Sequence, residues 1–227
     1  MSVAGLLLAA GNSTRMGEAN KLLQCVDAQP MLATVITELI KSSLDSVWVV
    51  TGFQADIITA LIEQLVSNND FSAAKNVHCI ENLDYLQGLS TSLKCGIQAL
   101  PSSVEAVMIV QADMPTLTVA HFEKLLSAYH LSVAEKNSTS AKSEQGEGRY
   151  IIAPYYRGRR GNPVIFSRHF FVALQTISGD RGARQLLKQW ADQIIAVEMD
   201  DDAVLIDIDN AAQLQTARLG INKGASL

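Results

Sequence analysis

Leu6-Leu7-Leu8-Ala9-Ala10-Gly11-Asn12-Ser13-Thr14-Arg15-Met16-Gly17, with Lys21 four residues further on, is the stretch that decides the reading of this chain. An apolar run over 3–8 ends in three residues with almost no side chain, then in a polar turn. A short, continuous apolar run suits a strand buried on both faces. Beyond it, Ala9, Ala10 and Gly11 let a ligand lie against the backbone, and glycine tolerates φ > 0. Backbone N–H groups in such a turn can converge on phosphate oxygens. Arg15 adds a planar charged fork suited to phosphate, and Lys21 a mobile point charge. The expectation is a buried strand that opens into an anion-wrapping loop. Two better-known phosphate motifs do not fit: Gly11 and Gly17 have the wrong spacing for G-x-G-x-x-G, and Gly17 precedes Glu18 where the Walker pattern needs Lys.

Outward from that loop the chain alternates. Helical periodicity covers 30–40, 55–66, 90–100 and 118–129, and short apolar runs lie at 47–50, 77–80 and 106–110. Thr118 and Asp180 are candidate helix caps. Strands alternating with helices predict three α/β/α layers around a mostly parallel sheet. Runs at 150–155 and 164–166 flank the basic turn Arg157-Gly158-Arg159-Arg160-Gly161-Asn162-Pro163 and predict a small antiparallel extension over the sheet edge. A helix over 181–190, late strands at 194–197 and 204–206, and a closing helix over 210–219 complete the expected order. Ligands of such sheets bind outside the carboxyl ends of the strands. The 11–21 loop, Glu81-Asn82 and Ala112-Asp113 all follow predicted strands and should share one edge. One domain over 1–227 is expected, with the polar stretch 137–149 a flexible loop.

Composition narrows the function. With 227 residues, 48% of them hydrophobic, the chain can bury a sizeable core. A net charge of −5 argues against general nucleic-acid binding. It also means that a polyanionic ligand needs a locally positive pocket. Cys25, Cys79 and Cys95 are odd in number and scattered, which fits a reducing cytoplasm better than a disulfide framework or a zinc site. The apolar run at 3–10 has no basic flank like that of a signal peptide, and no run approaches the ~20 residues needed to span a bilayer.

Several residues carry candidate chemistry. A carboxylate just past a buried strand, as at Asp113, can hold a hard cation such as Mg²⁺ against substrate phosphates. In Asp207-Ile208-Asp209, alternation sends both carboxylates to one face, where they could complete that cation site. Asn82 offers donors and acceptors for a base edge. Gly88 permits close approach, and Ser90, Thr91 and Ser92 open a helix whose free N–H groups favour an anion. Asp200-Asp201-Asp202 reads as a solvated turn, and the four histidines show no metal or triad spacing.

The segment Leu8-Ala9-Ala10-Gly11-x-Ser13-x-Arg15-Met16-Gly17, with Lys21 beyond, resembles the signature loop of nucleotidyltransferases of the GT-A-like, Rossmann-related superfamily. Its Ala-Ala-Gly form is similar to that of molybdenum cofactor cytidylyltransferases, within the MobA-like NTP transferase family, whereas related guanylyltransferases usually carry Ala-Gly-Gly. The segment from Ala112 to Thr118 resembles the family's metal-binding Asp motif, with Gln111-Ala112 where a glycine before the Asp is usual. Asp209 matches the last residue of an Asp-x-Asp or Asn-x-Asn element. The stretch from Asn82 to Ser92 resembles Asn-Pro-Asp-Tyr/Trp-x-x-Gly-x-x-x-Ser, with Leu83 in place of Pro.

The resemblance implies a Rossmann-like nucleotidyltransferase fold and transfer of CMP from CTP to the phosphate of molybdopterin, with release of pyrophosphate. It implies nucleotide binding by Leu8, Ala9, Ala10, Gly11, Ser13, Arg15, Lys21, Asn82, Gly88 and Ser92, with Arg15, Lys21 and Asp113 catalytic. Mg²⁺, or Mn²⁺ in its place, would sit on Asp113 and Asp209. Gly161, Asn162, Pro163 and Arg184 would line the acceptor, and a molybdenum hydroxylase would receive the product. Two other readings stay open: a guanylyl- or sugar-phosphate nucleotidyltransferase of the same fold, and a non-catalytic nucleotide-binding partner of molybdenum enzymes.

Overall fold

Val3–Leu8 forms strand β1, buried at every residue, and the molecule is layered around it. The computed structural model describes residues 1–11, 20–26, 28–68, 76–138, 149–179, 183–210 and 213. A short hairpin, β2 (Cys25–Val26) and β3 (Gln29–Pro30), leads into helix α1 (Met31–Lys41). Then come β4 (Ser46–Thr51), α2 (Ala55–Asn68), β5 (Asn76–Glu81), α3 (Leu89–Ala99), β6 (Ala106–Gln111) and α4 (Val119–Ser138). The second half holds β7 (Ile151–Tyr156), β8 (Arg159–Arg160), β9 (Val164–Ser167), the single turn α5 (Phe171–Leu174), α6 (Arg184–Gln189) and β10 (Ile194–Glu198).

The main sheet runs β5-β4-β1-β6-β9-β7-β10, with β8 paired to β7. β1 is parallel to β4 and β6, β4 to β5, and β7 to β10. Only β9 and the short β8 oppose the others, so β7 and β10 point the same way as β1. The antiparallel pair expected from 150–155 and 164–166 forms, β7 with β9, but not over the sheet edge: β9 lies inside the sheet, between β6 and β7.

Alternation along β1 divides the core. Leu7 and Ala9 face one side, with Met31, Val35 and Leu39 of α1, Ile58 and Ile62 of α2, and Phe122 and Leu125 of α4. Leu6, Leu8 and Ala10 face the other, with Leu93 and Ile97 of α3, Phe166, Phe170 and Leu174. Leu6 and Leu7 are fully buried, and burial of such a side chain is worth about 1.5–3 kcal/mol. At Gly96 of α3 an added Cβ would strike the Leu6 side chain, so this helix lies directly on the sheet.

Other departures from expectation are local. The run at 204–206 is not a strand. Ala203–Leu205 is a 3-10 turn, and its carbonyls are tied crosswise, Val204 O accepting from Asn162 N at 2.9 Å and Ala203 O from Thr116 Oγ1 at 3.3 Å. The segment therefore crosses the strand ends instead of joining the ladder. α4 continues past 129 because nothing in its sequence breaks it before Ser138. The expected cap Asp180 lies outside the described residues, and α6 begins only at Arg184. The excursion at 139–148 and all of the expected closing helix except Asn210 and Gln213 lie outside the described residues. Among the described residues no helix is long and apolar enough to cross a membrane.

The register lines up the strand ends. Leu8 stands beside Val50 and Gln111, and Thr51 beside Glu81. The chain stays tied just beyond: Ala9 N donates to Val50 O (2.9 Å), Asn82 N to Thr51 O (2.8 Å) and Ala112 N to Leu8 O (3.2 Å). The three predicted loops thus leave one edge.

Candidate active site

Lys21, Asp113 and Asp209 converge at that edge, each held by a different device. Lys21 opens a 3-10 turn, Lys21–Leu23, capped by buried Asn20. The Asn20 side chain accepts from Leu22 N at 3.0 Å and donates to Phe53 O at 3.3 Å, fastening the turn to the exit of β4. Asn20 was not singled out in the sequence, although an Asn before Lys-Leu-Leu is a helix-start signal. Asp113 follows β6, and its carbonyl accepts from Ile208 N at 2.9 Å. That bond brings the late segment home: Ile208 is buried, while Asp207 and Asp209 both act on Asp113 by charge. Asn210 N donates to Gln213 Oε1 (3.1 Å) and Gln213 N to Asn210 Oδ1 (2.9 Å), a reciprocal capping box. Asp209 N also donates to Gln213 Oε1, at 2.7 Å.

Between the carboxylates stands the ammonium. Lys21 Nζ donates to Asp113 Oδ2 at 2.8 Å and to Asp209 Oδ1 at 3.0 Å. Among the described residues, Asp113 Oδ1 is buried with no hydrogen-bond partner. Burial by itself would push the Lys21 ammonium down, but the charges and bonds of Asp113 and Asp209 carry it above its ordinary value. Burial pushes the Asp113 carboxyl up. Lys21 pulls it down, the charges of Asp207 and Asp209 push it up again, and the net direction is up.

This donor set fits a hard divalent cation. Mg²⁺ usually takes one or two carboxylates and fills its shell with water and substrate phosphate oxygens. Here two carboxylates, Asp113 and Asp209, share one ammonium, and among the described residues the buried Oδ1 of Asp113 has no hydrogen-bond partner. Among the described residues no group of three or more His, Cys, Asp or Glu could hold a metal, so phosphate oxygens or water would have to complete the shell.

The Asn82 corner is different. Asn82 is buried, and its amide is engaged on every side: Nδ2 donates to Thr91 Oγ1 (2.9 Å) and Ser92 Oγ (3.0 Å), and Oδ1 accepts from Asp84 N (3.0 Å). The side chain expected to offer its amide to a base edge braces the start of α3. Gly88, with φ 108°, is the N-cap of that helix, in a conformation that favours glycine. Ser90 N donates to Gly179 O at 3.2 Å, so the helix start is already partly capped by protein. Tyr85 closes over Gly52, where an added Cβ would strike both the Tyr85 ring and Ala10.

In the opening loop, Ala9 N is engaged with Val50, and Ala10 O accepts from Phe53 N at 3.3 Å. Gly11 is exposed, its φ is not positive, and among the described residues a Cβ there would meet nothing within 4 Å. Ser13 and Arg15 lie outside the described residues.

The expected acceptor loop reaches the same edge through β7 and β9. Arg157 and Gly158, both with positive φ, form the tight turn between β7 and β8. Gly161 is required by close approach, since a Cβ would run into the Val204 carbonyl. Asn162 N is bonded to that same carbonyl, and the Asn162–Pro163 peptide is cis. Arg184 starts α6, and its side chain lies outside the described residues. Asp200 and Asp201 are exposed, as expected of a solvated turn, and each also reaches α4. Lys124 Nζ donates to Asp200 Oδ2 at 2.9 Å, and Asp201 Oδ1 lies 3.1 Å from His121 Nε2. His121 Nδ1 accepts from Thr118 N, so Nε2 carries the proton toward Asp201.

Known proteins share this frame. The MobA-like NTP transferase domain matches residues 5–194. The molybdenum cofactor cytidylyltransferase of Escherichia coli (strain K12) is 25% identical over 216 residues, covering 94% of each chain. Nicotine blue oxidoreductase of Paenarthrobacter nicotinovorans is 24% identical, over 93% of this chain and 94% of that one. Among solved structures, Rv0371C of Mycobacterium tuberculosis H37Rv in complex with manganese superposes with a TM-score of 0.70 at 17% identity, over 96% of this chain and 99% of that one. That last likeness carries the fold.

Proposed function

The chain belongs to the MobA-like NTP transferase family and is a nucleotidyltransferase, and within that family we propose a Mg²⁺-dependent cytidylyltransferase that moves CMP from CTP onto the phosphate of molybdopterin. The observation that carries the chemistry is the meeting of Lys21, Asp113 and Asp209 beside an unsatisfied buried carboxylate oxygen. The choice of CTP and molybdopterin is supported by the Ala9-Ala10-Gly11 signature and by the Escherichia coli relative. The whole of 1–227 is read as one such domain, working in the cytoplasm, with its product passed to a molybdenum hydroxylase.

In this reaction an acceptor phosphate oxygen attacks the α-phosphorus of CTP. The new P–O bond forms as the bond to the β-phosphate oxygen breaks, and pyrophosphate leaves. The attacking oxygen is already anionic, so no protein nucleophile and no general base is required. What remains is positioning and neutralisation of charge. Asp113 and Asp209 would hold Mg²⁺, which when bound supplies positive charge to the phosphate oxygens. Lys21 and Arg15 would hold the triphosphate and steady the departing pyrophosphate. Ala9, Ala10 and Gly11 would let the nucleotide lie on the backbone, and Gly161, Asn162, Pro163 and Arg184 would face the acceptor.

The test is direct. The protein is incubated with Mg²⁺, either CTP or GTP, and either purified molybdopterin cofactor or a sugar phosphate as acceptor; pyrophosphate release is followed and the product is identified by mass. The cytosine dinucleotide with pyrophosphate release is the expected outcome. A guanine dinucleotide, or pyrophosphate released only with a sugar phosphate as acceptor, would overturn the substrate assignment and leave the reaction class standing.

A further inference from the structure

Lys21 is asked to serve two partners that it cannot serve together. Its ammonium bonds both Asp113 Oδ2 and Asp209 Oδ1, the oxygens assigned above to a divalent cation. It is also the group assigned to the triphosphate. We propose that Lys21 is the internal counter-cation of the Asp113–Asp209 pair in the nucleotide-free protein, and that it yields these oxygens to a metal ion as nucleotide phosphates take the ammonium over. The inference rests on the reading of Asp113 and Asp209 as metal ligands.

Three features of the site support it. First, the carboxylates are placed independently of Lys21. Asp113 is held through Ala112 N on Leu8 O and Ile208 N on Asp113 O, and Asp209 through its amide on Gln213. They keep their positions when the ammonium leaves.

Second, Lys21 can leave without moving the backbone. Its own carbonyl accepts from Gln24 N, and the turn is pinned by Asn20. The charge sits at the end of a four-carbon stem with rotatable bonds, and carries three donors. A swing of the side chain is enough.

Third, the two cations exclude each other on these oxygens. The side chains of Lys21 and Asp113 are only 14% and 18% exposed, so the repulsion between an ammonium and a divalent ion is weakly screened there. Among the described residues, Asp113 Oδ1 nevertheless has no hydrogen-bond partner. The ammonium is therefore an incomplete substitute for an ion that could use both carboxyl oxygens.

The consequence is positive coupling between metal and nucleotide. Without nucleotide, a metal ion must displace Lys21 and binds weakly. With nucleotide, phosphates offer the ammonium another anion, and the metal site opens. Couplings of this kind usually change affinity by about 5–150-fold.

The experiment measures Mn²⁺ binding to the nucleotide-free full chain, by the electron-spin signal of free Mn²⁺ and by thermal melting. Lys21→Met is expected to bind Mn²⁺ at least about tenfold more tightly than wild type. Without metal the variant should melt lower than wild type, and saturating Mn²⁺ should bring it back, because ion and ammonium do the same work on the same oxygens. The double variant Lys21→Met/Asp113→Asn should lose the gain. If Lys21→Met gives no folded protein, Lys21→Gln serves in its place. Equal Mn²⁺ affinity in wild type and variant, with Asp113→Asn still weakening binding, overturns the counter-cation and spares the metal site. Binding that is indifferent to Asp113→Asn in every background overturns both.

Discussion

Two corners of one strand edge are built in opposite ways. At the Asp113 corner, charged groups face each other and, among the described residues, a buried carboxylate oxygen has no hydrogen-bond partner. At the Asn82 corner, every arm of a buried amide is bonded to the protein. A satisfied network holds shape. An unsatisfied, crowded set of charges sacrifices stability and retains capacity for a ligand. Under the proposed function, the difference separates the part of the edge that does chemistry from the part that supports it, although both look equally polar in the sequence.

The sharpest way to break that comparison is Asp113→Asn. Under the proposed function it lowers turnover on the order of 10³-fold or more, the upper range for losing one preorganised electrostatic group. Circular dichroism should show an unchanged fold, and steady-state kinetics over a Mg²⁺ titration reads the loss. Unchanged magnesium dependence would place the cation elsewhere.

Arg15→Ala is next. As a holder of the triphosphate, Arg15 is worth roughly 10²–10³ in turnover. Near-normal turnover in a pyrophosphate-release assay would remove it from the charged corner.

Asn82→Ala tests the opposite corner. It takes this partner from Ser92 Oγ and the amide of Asp84, while Thr91 Oγ1 keeps the carbonyls of Asp84 and Gly88, and should cost about 1–3 kcal/mol of stability. Chemical denaturation measures that loss, and the KM for CTP should change little in the protein that remains folded. A raised KM at unchanged stability would show that the amide reads ligand after all.

The smallest effect is one of sign. Burial holds the folded-state carboxyl of Asp113 above its ordinary value. Its contribution to stability is therefore full below its unfolded pKa and is lost as pH rises through the folded one. At neutral pH the charge is a net cost. The midpoint of unfolding for Asp113→Asn should then equal or exceed that of wild type, with the advantage shrinking as pH falls toward the usual carboxylate range. Melting curves from pH 3 to pH 7 check it, and a variant less stable at pH 7 than at pH 3, relative to wild type, contradicts it. Loss of activity at Asp113 without loss of stability, set against loss of stability at Asn82 without loss of chemistry, is the pattern that the two corners predict.

A similar contrast appears among the acidic residues of the late segment. Asp200 and Asp201 are bonded to Lys124 and His121 of α4, at the surface. Asp209, a few residues on, reaches Lys21 across 188 positions of sequence. Spacing alone cannot rank these carboxylates. What separates them is that Ile208 is buried and its amide bonds Asp113, which carries Asp209 inward.

What the sequence determined by itself was the layering and the shared edge. Apolar runs of strand length, helical periodicity between them and small residues at the first strand end are local properties, and local properties survive without knowledge of the partners. They place residues 9–11, 82 and 113 along one rim. The tertiary structure alone decided which side chains meet there. It showed that Lys21 bridges Asp113 and Asp209, that the Asn82 amide is turned inward, that β9 enters the middle of the sheet, and that 203–205 crosses the strand ends as a turn. Each of these depends on the distance between groups far apart in the chain. A hydrogen bond or a charge pair is set by angstroms, and no periodicity in the sequence encodes them.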